Sequence, residues 1–486
     1  MILALGKNMK KNEIFKFAVF LFVLTFFCGC MVGPNYKTPD TTMPDEFVEQ
    51  KRKVVAEEKK ESLKDFWKSF DDPVLNNLVE TALNNNYDFK IAMEKIEEAR
   101  SFYRIKKADL FPEVNVNAQT VRYGLSQNNA QTSFMPTKTY NIFQTGFDAT
   151  WEIDIFGRLR REKQAAFYEM QSMIEDSHNV YVTLVSDVAK NYVDICSINN
   201  IVDLIREKID QRSSILFLVT NKKDSGLVSK INIDEQISLL KQEKENLIFY
   251  NTLLKQTIFK LSVLIGVQPE EFLKSYYDKD KFTKIISSED KIKISLPSTL
   301  LQNRPDIRSS ERVLARATSK VGAAIARYFP SFSLNGNTDF QASKLNNLFT
   351  GSSFTWSLGS IMKWPIITFG RLRANVDVSK SSQKQALLSY ENTVLNALKD
   401  VESAMVVYYN EQENLQNITD DVIANKSIAN LEKNKFESGI SSKISFLERN
   451  LRYLEKRVKQ IESKRDLSND LIGVYKSLGG GDWTSL

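Results

Sequence analysis

Phe156-Gly157-Arg158-Leu159-Arg160 recurs unchanged as Phe369-Gly370-Arg371-Leu372-Arg373, 213 positions further along the chain. The same shift aligns residues 221–226 (NKKDSG) with 434–439 (NKFESG). Upstream, Leu110-Phe111-Pro112 aligns with Tyr328-Phe329-Pro330 at a shift of 218. Self-similarity at a fixed offset marks a duplicated architecture and takes precedence over a domain count from length. Each half reads as helix, Phe-Pro, strand hairpin, Phe-Gly-Arg, very long helix, Ser-Gly turn and return helix.

The long helices follow from what is missing. Between Gly157 and Gly226, and again between Gly370 and Gly439, 68 residues contain neither Gly nor Pro. A helix of about 65 residues is roughly 95 Å long at 1.5 Å per residue, too long for a globular domain. Apolar positions recur at Val188, Tyr192, Ile195, Ile198, Val202, Ile205 and Ile209, six steps in 21 residues. Val394, Leu398, Val401, Met405 and Tyr408 repeat the pattern. A sustained period of 3.5 predicts left-handed supercoiling against neighbouring helices. Return helices are expected from about 230 to 265 and 442 to 478, with charge opposite the apolar stripe, as at Lys241-Gln242-Glu243-Lys244-Glu245. Taken alone, these helices fit a plain coiled coil equally well.

Four shorter stretches decide against that. Phe147, Ala149, Trp151, Ile153 and Ile155 alternate with Asp148, Thr150, Glu152 and Asp154. Phe332, Leu334 and Phe340 are set against Ser331, Ser333, Asn335, Asn337 and Asp339. Phe354, Trp356, Leu358, Met362 and Trp364 are set against Thr355, Ser357 and Lys363. The stretch 114–123 is weaker and changes face near Thr120. One apolar face with aromatics near its ends and one polar face is the pattern of a lipid-facing barrel wall around a wet lumen. A half-buried sheet in a soluble domain shows the same alternation, but little globular sequence is left here for such a sheet to pack on. Four strands fall short of the roughly eight with which bacterial single-chain barrels begin. Open edges in lipid leave backbone groups unpaired at several kcal/mol each, so spanning strands require several copies of the chain. Gly157 and Gly370 suit the strand–helix junctions, where an unusual φ is needed. Pro112 and Pro330 suit strand starts, and residues 126–139 and 343–353 read as outer loops.

Composition narrows the function. A mean hydropathy of -0.31 and a hydrophobic fraction of 42% exclude a multi-span helical membrane protein. Of the net charge of +6, Lys7, Lys10, Lys11 and Lys16 against Glu13 supply +3 before Cys30; the remaining +3 is no basis for nucleic-acid binding. Three Cys cannot build a disulfide framework. His178 is the only histidine, which leaves histidine catalysis or a zinc site almost nothing to work with. Arg304 with Asp306, and Asp148 with Glu152 and Asp154, read as ion pairs at a helix start and a polar lumen face. No enzyme activity, metal or cofactor is expected.

Lys10 and Lys11 precede an apolar run from Ile14 to Phe27, a charged region and apolar core of secretory-signal length. The run is short for a spanning helix, and either Met1 or Met9 serves as the start. Phe27-Cys28-Gly29-Cys30 resembles a bacterial lipobox, with Cys30 as the lipidated first residue of the mature chain. An ordinary cleaved signal with an incidental cysteine is the alternative. Met31 in place of Asp gives no inner-membrane retention signal. One lipid is a modest anchor.

Four further segments stand in a telling order: 30–36 (CMVGPNY), 66–73 (FWKSFDDP), 303–308 (NRPDIR) and 478–483 (LGGGDW). In them the mature chain resembles, over nearly its whole length, the TolC-type outer-membrane efflux channels, in the lipoprotein branch typified by OprM. The resemblance implies a mainly α protein with a transmembrane β-barrel. The barrel is trimeric and 12-stranded, four strands per subunit, and continuous with a long periplasmic α-helical barrel; two internal structural repeats build each subunit. It implies a homotrimer in outer-membrane lipid that passes small toxic solutes or antibiotics outward. Cargo comes from an inner-membrane RND-type pump through a periplasmic adaptor, with no chemistry in the channel. The outlet of a type I protein secretion system or of a metal-ion efflux pump is the alternative.

The segments then read as signal peptide (1–29), N-terminal segment and first helices (30–110), and first transmembrane hairpin (111–156). A periplasmic hairpin with a connecting equatorial region (157–328), the second transmembrane hairpin (329–369), the second periplasmic hairpin (370–478) and a tail (479–486) follow. Two sites carry over from the resemblance. Gly-x-x-Ser tips that meet the adaptor match Gly226-Leu227-Val228-Ser229 and Gly439-Ile440-Ser441-Ser442. A periplasmic gate of apolar residue, acid and base on successive turns matches Ile428, Glu432 and Lys435. Lys stands where the family has Arg, so a single-point ion pair replaces a bidentate one.

Overall fold

The stretches free of Gly and Pro are single uninterrupted helices. A computed structural model describes residues 31–41, 43–48, 63–126, 139–224, 228–285 and 299–480. The leader with Cys30, the tip residues Gly226 and Leu227, and most of the first outer loop lie outside these residues. After a short 3-10 helix (Leu63–Phe70) come α1 (Pro73–Asn85), α2 (Tyr87–Ala108), β1 (Glu113–Gly124), β2 (Thr139–Ile153), α3 (Arg158–Asp224) and α4 (Lys230–Leu264). Then follow α5 (Pro269–Ser275), α6 (Leu300–Asn303), α7 (Pro305–Ala326), β3 (Ser331–Ala342), β4 (Phe354–Lys363), α8 (Arg371–Glu437) and α9 (Lys443–Ser477). The repeat is visible in the lengths: α3 and α8 have 67 residues each, α4 and α9 35 each.

Two units result, and each draws segments from both halves of the sequence: 1–39, 96–172 and 310–390 in the first, 40–95, 173–309 and 391–486 in the second. The first unit holds one antiparallel sheet in the order β1-β2-β3-β4. The backbone of β1 does not change face near Thr120, because its ladder with β2 runs unbroken from Glu113 opposite Thr150 to Gly124 opposite Thr139. Thr120 and Arg122 simply occupy apolar-face positions while Val121 and Tyr123 take polar-face ones. In the same unit, Leu314 and Ala317 of α7 pack on Ala386 of α8. Arg161, fully buried, donates to the carbonyls of Val32 (3.1 Å) and Gly33 (3.0 Å) and to Asn35 Oδ1 (2.9 Å). A buried guanidinium persists only with its donors bonded, so these contacts fix the segment just after Cys30 to the first turn of α3.

The second unit is built on the 3.5-period stripe. Val188, Tyr192 and Ile195 are 0% exposed, and Ile198, Val202 and Ile205 are 2% exposed. Tyr192 donates to Asp72 Oδ2 at 2.8 Å, while Asp72 Oδ1 accepts the N–H groups of Val74 and Leu75. One carboxylate thus caps α1, whose first residue Pro73 needs no donor partner, and pins it to α3. Arg304 makes a two-point contact with Asp306 (3.0 and 2.6 Å) and donates to Ser477 O at 2.9 Å, holding the start of α7 on the end of α9.

Two ion pairs bridge the helical hairpins at repeat-equivalent positions. Lys208 of α3 meets Glu243 of α4 at 2.8 Å, with side chains 9% and 8% exposed. One repeat later, Asp421 of α8 meets Lys456 of α9 at 2.7 Å, 43% and 36% exposed. Glu243 therefore leaves the solvent face expected for 241–245, because the facing helix delivers an ammonium to it. Lys208→Met strands a buried carboxylate and is expected to cost roughly 3–5 kcal/mol. Lys456→Met, at a half-exposed pair, is expected to cost about 0–1 kcal/mol. Denaturant unfolding of the two purified variants checks the ranking; equal losses would contradict it.

Candidate functional site

Partners across an antiparallel ladder share a face, so the register sorts every strand residue. Asn115, Asp148, Asn337 and Ser357 form one row across all four strands. Val116, Phe147, Thr338 and Trp356 form the neighbouring row, on the opposite face. The polar face bonds within itself: Asn115 and Asn117 donate to the Asp148 carboxylate, Asn337 to Asp339, and Ser357 to Asn337 Oδ1. On the other face Val116, Phe147, Trp356 and Leu358 stand exposed. Trp151 and Trp356 thus lie on one face, Asp148 and Asp339 on the other. Strands β1 and β4 each have one edge with no strand partner among the described residues.

The strand–helix junctions sit at Gly157 (φ +80°) and Gly370 (φ +84°). At Gly157 a Cβ would come within 2.6 Å of Met31 Cγ, so both the backbone angle and the packing demand glycine. Asp154 accepts the N–H groups of Leu159 (3.0 Å) and Arg160 (2.8 Å), satisfying donors that the first turn of α3 leaves open. Asp154 is therefore a helix cap and not a lumen-face carboxylate. Arg158 links Glu152 (2.8 Å) to Glu162 (3.0 Å). The second junction keeps the Phe-Gly-Arg but loses the acids: Ile367 stands at the position of Asp154 and Pro365 at that of Glu152. There Phe369 is 99% exposed at φ +47°, and Ile366 and Ile367 are exposed beside it.

At the second hairpin tip, α8 ends in two reciprocal bonds, Gly439 N–H to Phe436 O (2.9 Å) and Ile440 N–H to Lys435 O (2.8 Å), with Gly439 at φ +75°. This left-handed stop is the usual glycine C-cap. It leaves Ile440 exposed, and Ser442 then caps α9 by accepting from Ser445 N. At the first tip, Ser229 caps α4 in the same way; Gly226 and Leu227 lie outside the described residues. Ile428, Glu432 and Lys435 share one face of α8, with Ile428 and Lys435 exposed. Glu432 is turned partly inward, accepting from Ser445 Oγ of α9 at 2.8 Å, while Lys435 Nζ stays at 3.8 Å. Sequence reasoning missed Ser445, which has no motif; Asp154 had a signal, an acid just ahead of a helix start.

The Ser445 hydroxyl, then Ser441, Lys435 and Arg449, hold the Glu432 carboxyl below its ordinary value. A depressed carboxylate adds stability above its unfolded pKa, and that stability is lost as pH falls through the folded value. The second tip is expected to loosen as pH drops below about 4.3, the ordinary value for Glu. Ser445→Ala is expected to flatten this acid limb when unfolding midpoints are measured as pH falls from neutral to below the ordinary carboxylate range; an unaltered limb would remove Ser445 from the account.

Among the described residues no helix is long and apolar enough to cross a membrane, and no group of three or more His, Cys, Asp or Glu could hold a metal. A two-faced open sheet joined through glycine junctions to long helical hairpins defines a membrane channel whose wall is made of strands. The model of the family described as "Outer membrane efflux protein" matches residues 78–267 and 296–480, and the chain belongs to that family. The toluene efflux pump outer membrane protein TtgC of Pseudomonas putida is 27% identical over 480 residues, 97% of this chain and 96% of its own. The solved outer-membrane channel OprN matches with a TM-score of 0.82 at 27% identity, covering 93% of this chain and 99% of its own. The CmeC outer membrane channel of Campylobacter jejuni, at 24% identity, shares the fold with a TM-score of 0.85 over 94% of this chain and 96% of its own. The protein is an outer-membrane efflux channel and not an enzyme.

Proposed function

We propose that three copies of this chain close one barrel and form the outlet of a tripartite efflux system for small toxic solutes. The observation that carries the reading is the open sheet, apolar on one face, polar on the other, with two unpaired edges. In lipid those edges must pair, and β1 of one copy can pair only with β4 of another. Two copies give about eight strands, whose interior side chains fill, whereas larger barrels leave an aqueous lumen. Three copies give 12 strands around the row that contains Asp148 and Asn337.

The helical hairpins 157–328 and 370–478 are then the periplasmic part. The tips at Gly226, Leu227 and Ser229 and at Gly439, Ile440 and Ser442 meet a periplasmic adaptor, which brings cargo from an inner-membrane RND-type pump. Exposed Ile440 beside a rigid glycine stop supports the second tip. Ile428, Glu432 and Lys435 form the periplasmic gate, with Glu432 latched to the return helix by Ser445. Cys30 carries the lipid: Met31 packs on Gly157 at the foot of the sheet, so an acyl chain on the preceding residue would enter the membrane at that interface. The toluene named for the P. putida relative supports small apolar cargo.

Cells lacking this gene are expected to retain several unrelated small dyes and drugs, with export restored by the wild-type gene but not by Gly439→Val. Cross-linking of the purified protein is expected to give a ladder ending at three copies. Retention of no compound in a strain free of other such outlets would sink the efflux reading, and a ladder ending elsewhere would sink the trimer.

A further inference from the structure

The β3–β4 loop, residues 343–353, carries apolar side chains where a water-exposed loop has no use for them. Phe349 is 75% exposed and Leu345 65% exposed, while Leu348 between them is buried. The loop is not slack. Two 3-10 turns, Leu345–Asn347 and Gly351–Ser353, are tied together at Asn347 O, which accepts from Thr350 Oγ1 (2.9 Å) and Ser353 Oγ (2.7 Å). These bonds satisfy the Thr350 and Ser353 hydroxyls, and among the exposed residues of the loop, which include Lys344, Asn346 and Ser352, Phe349 and Leu345 supply the large apolar side chains.

The direction in which Phe349 is held is fixed by its neighbour. Its ring packs on Phe340 at 5.8 Å, and Phe340 also packs edge-on against its cross-strand partner Phe354 at 5.6 Å. Phe340 and Phe354 share the apolar face with Trp356 and Leu358. The loop thus prolongs the apolar face beyond the ends of the strands and does not lean across the polar one.

The depth agrees. At the helix end of β4, Trp364 donates its indole N–H to Tyr328 O at 3.0 Å, a ring with one apolar and one bonded end, as suits a membrane interface. From Trp364 to Phe354 is ten residues, roughly 34 Å along a strand at about 3.4 Å per residue. A tilt of about 35–45° reduces this to roughly 24–28 Å, which matches the apolar band of ~25 Å between aromatic girdles. Phe340, Phe354 and Phe349 therefore fall at the outer girdle.

We propose that the β3–β4 loop is a lipid-anchoring element, in which Phe349 and Leu345 insert among the acyl chains of the outer leaflet. The proposal rests on the outer-membrane reading of the sheet. It also leaves this loop outside the channel mouth, so it does not cap the outer opening.

Single cysteines at Phe349, Leu345, Ser352 and Leu358, each in a Cys196→Ser background, can carry an environment-sensitive fluorophore. The full-length protein is placed in vesicles whose phospholipid acyl chains bear nitroxides, with the Cys196→Ser protein alone as the labelling blank. Leu358, on the apolar sheet face, should be strongly quenched. Probes at Phe349 and Leu345 should be quenched several-fold more than the probe at Ser352 in the same loop. Quenching at Leu358 with Phe349 and Leu345 no different from Ser352 overturns the anchoring role and leaves the membrane sheet intact; that result also covers burial of Phe349 against a neighbouring copy. Absence of quenching at Leu358 overturns the sheet reading and the anchor with it.

Discussion

Inside a hydrocarbon layer every backbone N–H and C=O must find its partner within protein. In this sheet the three inner ladders meet that requirement and the outer edges of β1 and β4 do not. Much else follows from this one shortfall. On the trimeric reading proposed above, an unpaired edge obliges the chain to assemble, and assembly around an axis brings long helices side by side. The apolar residues left exposed on α8, such as Val378, Leu388 and Leu395, are what helices awaiting neighbours look like. Within one chain, burial is accordingly richest on the stripe of α3, which already has its neighbours.

The parts of this fold written in short periods are legible in the sequence. Alternation of two placed Trp151 and Trp356 on one face, and a 3.5 period picked out Val188 to Ile205 as a buried stripe. Each is a local rule repeated many times, so single exceptions cannot hide it. Interactions that depend on one partner far along the chain were not legible. Glu243 looks like any solvent carboxylate until Lys208 arrives from the facing helix, and Arg161 looks like a surface arginine until the carbonyls of Val32 and Gly33 surround it. In β1, Val121 and Tyr123 mimic a change of face, because near the end of a strand the distinction between lipid and lumen weakens. For Ile428, Glu432 and Lys435 the spacing was legible, but the hydroxyl of Ser445 that draws Glu432 toward the return helix carries no local pattern.

The two junctions show how a duplicated unit takes on separate duties. Both keep the Phe-Gly-Arg that turns a strand into a helix. The first is complete within the chain: Asp154 caps the helix, Arg158 binds Glu152 and Glu162, and Met31 covers the glycine. The second has exchanged those acids for Pro365 and Ile367 and presents Phe369 bare. A capped, covered corner suits the chain's own N-terminal segment; an uncapped apolar one suits a surface supplied by another copy.

Duplication also creates a hazard, since two hairpins of equal length and pattern could trade return arms. The bridging pairs bear on this, because their polarity is reversed between repeats: base then acid in Lys208 and Glu243, acid then base in Asp421 and Lys456. A traded arrangement would set Lys208 against Lys456 and Asp421 against Glu243. Two like-charge contacts would replace two attractive ones, and such juxtapositions discriminate against wrong partners. The inverted pair thus works as a key cut differently for each half, letting one ancestral hairpin serve twice in a chain without the copies being mistaken for each other.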